Sequence, residues 1–225
     1  MIRIWVGYDP REALAYHTFC QSVIDHATLP VAFSPLSLAL LRGYEETHRD
    51  GSNQFIYTRF LVPALSDFAG WALFVDGDMV TTRDVAELWR LKDPQCAVQV
   101  VRHPDYTTKN KTKYVGTAME TYNASYGRKN WSSVILWNCA HPANRVLTPA
   151  YVQRSTGEFL HRFGWLDDDE IGALPAEWNV LIGEQENDRP AIAHYTCGVP
   201  GIEHYRDCDH AGLWHSAKDN LLRCG

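Results

Sequence analysis

The first half of the chain alternates short apolar bursts with stretches of helical spacing. Ile2 to Val6 is an apolar run suited to a buried strand. It leaves through Gly7-Tyr8 into Asp9-Pro10-Arg11-Glu12, which reads as an N-cap, a proline at the first helical position and an acidic first turn. A helix is expected to start there, with Ala13, Tyr16, Cys20, Val23, Ile24 and Ala27 on its inner face. Val31 to Leu36 is a second strand candidate, and Gly43 to Asn53 is a polar loop. Phe55 to Val62 starts a helix that Pro63 bends or shifts. Ala72-Leu73-Phe74-Val75 is an unbroken apolar run, entered from Gly70-Trp71 and left through Asp76-Gly77-Asp78; a central strand covered on both faces has this pattern. Val85 to Leu91 is a short helix candidate, and Ala97 to Val101 and Val134 to Trp137 are strands on either side of the polar, lysine-bearing stretch from Asp105 to Trp131. No repeat or Pro/Ser-rich linker divides the chain. The expectation is one α/β domain over residues 1–225 with a mostly parallel, Rossmann-like central sheet. Ligands of such sheets bind beyond the carboxyl ends of the strands, which singles out the loops Gly7 to Arg11 and Asp76 to Met79.

Composition narrows the class. A chain of 225 residues with 45% hydrophobic, 21% charged and 12% aromatic residues is an ordinary globular domain, long enough to bury about 70% of its unfolded surface. Its formal charge of −6 offers no broad attraction to nucleic acid or an anionic membrane, so an anionic ligand must be handled locally. No apolar stretch is long enough for a transmembrane segment or a signal-peptide core, and a cytoplasmic protein is expected. The six cysteines (Cys20, Cys96, Cys139, Cys197, Cys208, Cys224) include no CxxC pair and read as reduced thiols. Three glycosylation tripeptides, at Asn110, Asn123 and Asn130, are accidental in a protein that is not secreted.

Asp76-Gly77-Asp78 is the strongest chemical signal. In extended backbone, residues i and i+2 point to one side, so the two carboxylates converge, and the glycine lets a ligand approach the backbone. Hard oxygen donors at a strand end suit Mg²⁺ or Mn²⁺ held with substrate phosphates; the alternative is a solvated turn. His194 follows a small apolar run and reads either as a core histidine or as one of a zinc set with Cys197, His204, Cys208 and His210, although that spacing fits no usual structural zinc pattern. Asp167-Asp168-Asp169-Glu170 reads as a solvated helix start, with Ile171 and Leu174 on the helix, or as carboxylates facing a site. Arg59, among aromatic and aliphatic neighbours, either pairs structurally or points at an anion. Lys109, Lys111 and Lys113 form a basic loop whose simplest role is solubility.

The order of these blocks resembles the GT-A glycosyltransferases, and within them the family 8 class typified by bacterial lipopolysaccharide galactosyltransferases and glycogenin. The matching pieces are Ile4-Trp5-Val6-Gly7-Tyr8-Asp9, Tyr57 to Pro63, Leu73 to Val80, Asn130 to Leu136, the acidic segment, and His194-Tyr195-Thr196-Cys197-Gly198. The resemblance implies that Asp76, Asp78 and His194, the last 116 positions beyond Asp78, bind Mn²⁺ (or Mg²⁺), which bridges the phosphates of a nucleotide-sugar donor, UDP-linked in that family. It implies further that Arg59 lies near the diphosphate and sugar, that Val6, Gly7, Tyr8 and Asp9 hold the uridine, and that Asn130 contacts the donor sugar. Gly77 and Gly198 belong to the same donor-binding blocks. Asp168 and Asp169 fall where the family places residues beside the anomeric carbon. Transfer is expected to retain the configuration of the sugar.

The chain departs from that pattern after His194. Gly198-Val199-Pro200-Gly201 lacks the family's diphosphate-binding lysine, leaving Lys113 or Arg206 as replacements. The basic, aromatic tail of the membrane-attached relatives is also missing, so a soluble small-molecule or carbohydrate acceptor is as reasonable as a lipid-linked one. A metal-dependent nucleotidyl- or phosphohydrolase using the same Asp and His ligands, and a non-catalytic zinc module, are the other readings.

Overall fold

The opening strand is β1 (Ile2–Tyr8), in which Ile2, Ile4 and Val6 are buried while Arg3 and Trp5 are only partly covered. The computed structural model describes residues 1–49, 52–104 and 106–223; Cys224 and Asp105 lie outside the described residues. After β1 come α1 (Ala13–His26), β2 (Val31–Ser37), α2 (Val62–Leu65), β3 (Trp71–Val75), β4 (Met79–Thr81), α3 (Val85–Trp89) and β5 (Val98–Val101). The second half holds a hairpin, β6 (Thr112–Lys113) and β7 (Thr121–Tyr122), then β8 (Val134–Asn138), α4 (Pro149–Arg154), α5 (Gly157–His161), β9 (Ile171–Leu174), β10 (Val180–Leu181), β11 (Ile192–His194) and α6 (Ala211–Leu222).

The main sheet has the order β2-β1-β3-β8-β5-β9. Its pairs are parallel except those that β8 makes with β3 and β5, so β8 is the one reversed strand of six and the mostly parallel sheet is as expected. β3 is covered on both faces. Ala72 and Phe74 join a cluster with Phe60, Trp137 and Phe163, while Leu73 and Val75 join another with Ile4, Val6, Phe19 and Met79. Each large apolar side chain so buried stabilises the fold by about 1.5–3 kcal/mol, which anchors whatever chemistry β3 carries at its end. A second sheet, β10-β11-β4, packs with α1 and α6 through Val80, Ala193, Tyr195 and Trp214.

Three local expectations are corrected. Asp9 does cap the first turn, accepting from Arg11 N, but the inner face of α1 is Ala15, Tyr16, Thr18, Phe19, Ser22 and Val23, with Ile24 55% exposed. The helix is held between β4 and α6, so small polar residues turn inward: Ser22 Oγ donates to Phe19 O and accepts from Thr81 N. Phe55 to Val62 is not the start of one helix. Thr58–Leu61 is a 3-10 turn, and Pro63 sits in the first turn of α2, where its missing N–H leaves no bond unmade. Ile171 and Leu174 lie on a strand, not a helix, because β5 offers a free edge and β9 pairs along it in parallel register from Val98–Ile171 to Val101–Leu174.

Among the described residues no helix is long and apolar enough to cross a membrane. The cysteines Cys20, Cys96, Cys139, Cys197 and Cys208 are free thiols.

Candidate metal-binding cleft

The residues Asp76-Gly77-Asp78 are the passage from one sheet to the other: β3 ends the run in the main sheet and β4 continues it in the second. The crossing is fixed at both ends, by Asp76 N donating to Ser133 O (3.0 Å) and by Tyr195 N donating to Asp78 O (3.0 Å). Antiparallel pairing of β4 with β11 sets His194 opposite Met79, and this register closes the long gap in sequence. His194 Nε2 lies 3.3 Å from Asp78 Oδ1 and 3.8 Å from Asp76 Oδ2. One ligand atom from each of the three buried residues falls within 4.8 Å of the others.

Hydrogen bonds around this group fix its chemistry. Asn179 Nδ2 donates to Asn130 O (3.1 Å), which turns Asn179 Oδ1 toward His194 Nδ1 at 2.9 Å. Nδ1 therefore carries a hydrogen, and Nε2 is the ring nitrogen turned to the two carboxylates, the atom a metal would take. Asp76 Oδ1 and Asp78 Oδ1 are buried and make no well-aligned hydrogen bond; their close neighbours are charged or ionisable groups, Arg59 at Asp76 and His194 at Asp78. Burial drives the Asp76 carboxyl above the ordinary range, with Arg59 opposing and Asp78 reinforcing the shift. Burial also acts on Asp78, but His194 and Lys113 outweigh it and hold that carboxyl low. The donor set, two carboxylates and one imidazole, fits a small divalent cation.

Arg59 settles between the two readings offered by the sequence: it is buried and paired. Its Nη1 lies 2.8 Å from Asp76 Oδ1 and donates to Ser132 O (2.8 Å), its Nε donates to Ile56 O (3.0 Å), and the guanidinium lies over Phe55 and Phe74. Beyond it opens a polar cleft of about 190 Å³, whose lining includes Arg59, Asp76, Lys113, Lys129, Asn130 and His161. That is less than the 300 Å³ at which sites for drug-sized ligands begin. Asn130, in left-handed backbone (φ 61°), has a buried side-chain amide next to the Tyr106 hydroxyl. Lys113 Nζ donates to Thr196 Oγ1 (3.3 Å), two residues past His194. Arg206 instead pairs with Glu203 on the surface. The basic loop is tied down: Glu184 accepts from Lys109 N, Asn110 N, Asn110 Nδ2 and Tyr106 OH.

The end of β1 lies beside the end of β3, with Val6 opposite Val75, and the other expected site residues there carry local contacts. Val6 and Gly7 belong to the β1 packing, and Tyr8 sets its ring edge-on to Tyr16. Asp9 has both oxygens engaged, by Arg11 and by Gln54 N. At Gly77 a Cβ would stand 2.4 Å from Gly7 O, so close packing of the neighbouring backbone by itself demands glycine there. Gly77→Ala is accordingly expected to destabilise the protein by about 1–3 kcal/mol, the usual cost of overpacking, in urea unfolding; an unchanged midpoint would refute the close approach. Gly198 packs against the Tyr205 ring, where a Cβ would stand 2.3 Å from the ring.

The structure does not bring Asp168 or Asp169 to the cleft. They precede β9, at the end of the main sheet opposite to the one from which Asp76 emerges. Asp168 is exposed and pairs with Arg128. The zinc set also fails to assemble: Cys197 Sγ donates to Glu184 Oε1, His210 Nε2 meets Asn187 O, and among the described residues the group able to hold an ion is Asp76, Asp78 and His194. Sequence reading missed Asn179, whose signal was an amide inside the buried run Trp178 to Leu181. It also missed Glu12, whose carboxyl is pushed up to about 8 by burial, with Asp78 and Asp9 adding to the shift.

Comparison with known proteins places this geometry. No protein-family model matches the chain. Protein CDI of Arabidopsis thaliana is 45% identical over 222 residues, covering 94% of this chain and 84% of that protein. Among solved structures, the galactosyltransferase LgtC, determined with donor and acceptor sugar analogues, superposes with a TM-score of 0.60 at 17% identity, over 100% of this chain and 98% of its own. The glycosyltransferase GlyE of Streptococcus pneumoniae gives 0.60 at 15% identity, over all of this chain and 61% of its own. The bifunctional glycosyltransferase WbbM gives 0.59 at 14% identity; the chain spans half of its length. The shared architecture is that of the GT-A glycosyltransferases.

Proposed function

The chain belongs to the family of Protein CDI, and from that premise and its GT-A fold we propose that it is a metal-dependent glycosyltransferase, a single domain over residues 1–225, using a nucleotide-sugar donor, UDP-linked by the family 8 resemblance. The observation that carries the reading is His194 Nε2 facing Asp76 and Asp78 beside a polar cleft. Asp76, Asp78 and His194 would hold Mn²⁺ or Mg²⁺, which supplies charge neutralisation to a departing diphosphate. Lys113 takes the place of the lysine absent after His194, and Arg59 fixes Asp76 while its charge faces the same region. Asn130, which lines the cleft, offers its amide to the donor sugar.

The transfer breaks the bond from the anomeric carbon to the diphosphate oxygen and forms one to an acceptor hydroxyl oxygen, whose proton ends on the departing phosphate. Asp76 is the carboxylate among the described residues lining the cleft, and it is engaged by Arg59 and the ligand group. His161 has Nδ1 on Ser132 Oγ (2.7 Å) and Nε2 sealed from solvent. Retention of the sugar's configuration is carried by the family 8 resemblance. Asp168 and Asp169 receive no part in this scheme.

Calorimetric titration with UDP tests the reading. Binding is expected in Mn²⁺ and at least about tenfold weaker in EDTA, equivalent to about 1.4 kcal/mol. Metal-independent or absent binding would overturn it, and phosphate release from the donor with no transfer to any acceptor would favour a hydrolase.

A further inference from the structure

Lys129 is a buried cation that the donor chemistry does not use. It lies between β7 and β8, is 7% exposed, and lines the cleft. Its Nζ donates to Asn123 Oδ1 (2.6 Å) and to Ala124 O. Both partners are neutral, and the ammonium's other neighbour is the Tyr126 ring, 5.4 Å from Nζ to its centroid, so none of its three hydrogens meets a carboxylate. Among the described residues no ion pair joins Lys113 or Lys129 to a carboxylate. Glu184 is felt by Lys129 at a distance and favours its charge, but its oxygens accept from the 106–110 loop and Cys197 and not from Lys129 Nζ. Burial and the like charge of Lys113 pull the Lys129 amine down to about 8. A buried ammonium with no directly paired carboxylate is stabilised when an anion arrives.

We propose that Lys129 anchors a phosphate or carboxylate carried by the sugar or polyol that accepts the transferred group. This rests on the glycosyltransferase reading. In the loaded site, the divalent ion offsets Asp76 and Asp78, and Arg59 with Lys113 offsets the two charges of the donor diphosphate. Lys129 is the cleft-lining cation that this scheme leaves without an ion pair to a carboxylate. It lies on the side of the cleft carrying Tyr122 and Tyr126, which are 70% and 42% exposed and offer ring faces to the apolar face of a sugar, whereas Lys113 is felt by Asp76, Asp78 and Glu12. A neutral acceptor would leave the Lys129 charge uncompensated.

The test is titration of the wild-type protein with glucose 1-phosphate, glucose 6-phosphate, glucuronate, inorganic phosphate and glucose. Each is added to protein saturated with UDP and Mn²⁺, so that the donor site is filled, and also to the free protein. At least one anionic sugar is expected to bind ten times or more tighter than glucose, the phosphate and carboxylate arms showing which group is preferred. Lys129→Gln is expected to erase that preference and Lys129→Arg to keep it, with UDP affinity in Mn²⁺ changed less than twofold in both. Charge-blind binding in the wild type, a preference that survives in Lys129→Gln, or an equal loss of UDP affinity would overturn the proposal; the last would assign Lys129 to holding the 123–129 segment. Failure of UDP to bind at all refutes the enzyme reading, and the free-protein arm then still decides whether Lys129 selects anions. Should Lys129→Gln not fold, the comparison of anionic sugars with glucose on the wild type decides alone.

Discussion

Asp78→Asn is expected to abolish metal-linked behaviour while leaving the apo fold in place. In the absence of metal two effects oppose each other. The buried repulsion between Asp78 and Asp76 is relieved, and the favourable pairing of Asp78 with His194 and Lys113 is lost. The melting temperature should therefore stay within about 2 °C of wild type, less than about 1 kcal/mol for a chain of this size. With metal at about a hundred times its dissociation constant, the wild type gains about 2.7 kcal/mol, a rise of roughly 5–10 °C. The variant should gain less than about 1 °C. Turnover should fall by about 10³-fold or more, the scale of losing several kcal/mol of charge stabilisation. Retention of the metal-induced shift in Asp78→Asn would remove this aspartate from the ligand set.

The parts of this site that sequence reveals are those whose geometry is local. The unbroken run Ala72 to Val75 announces a strand covered on both faces, and two carboxylates at i and i+2 beyond it follow from the pleat. His194 is different. Its place beside Asp78 depends on the register of β4 against β11, and no local pattern encodes that pairing; only the resemblance connects the blocks. The same limit hides Asn179, which acts through an orientation fixed by Asn130 O, and Lys129, whose burial depends on how the 123–129 segment folds back over its own ammonium. Where pattern misleads, two structures share one pattern. Ile171 and Leu174 suit a helix turn or a four-residue strand equally, and the free edge of β5 decides. In α1 the expected stripe is displaced because a second partner, α6, claims part of the surface. The carboxylates of 167–170 then fall at the wrong end of the sheet.

Arg59→Ala is expected to be the most destabilising single change near the cleft, by about 3–5 kcal/mol, the usual result of removing one partner of a buried ion pair. The guanidinium is 4% exposed. Truncation would strip Asp76 of its nearest counter-charge, leave Ser132 O and Ile56 O without their donor, and open the space between the Phe55 and Phe74 rings. Urea unfolding measures the loss, and a change below about 1 kcal/mol would show that the pair contributes nothing net. Arg59→Lys should recover only part of it, because an ammonium reaches one acceptor where the fork reaches three and stacks poorly on the rings. The effect on function should split from the effect on stability. With Arg59 gone, Asp76 has no competing cation and its oxygens are freer for a metal, so metal affinity measured by titration should hold or rise. UDP affinity in Mn²⁺ should fall at least about tenfold, since one of the two side-chain cations facing the diphosphate has been removed. A purely structural Arg59 would instead lower both affinities together, in proportion to the unfolded fraction, and stabilising osmolyte would restore them in parallel.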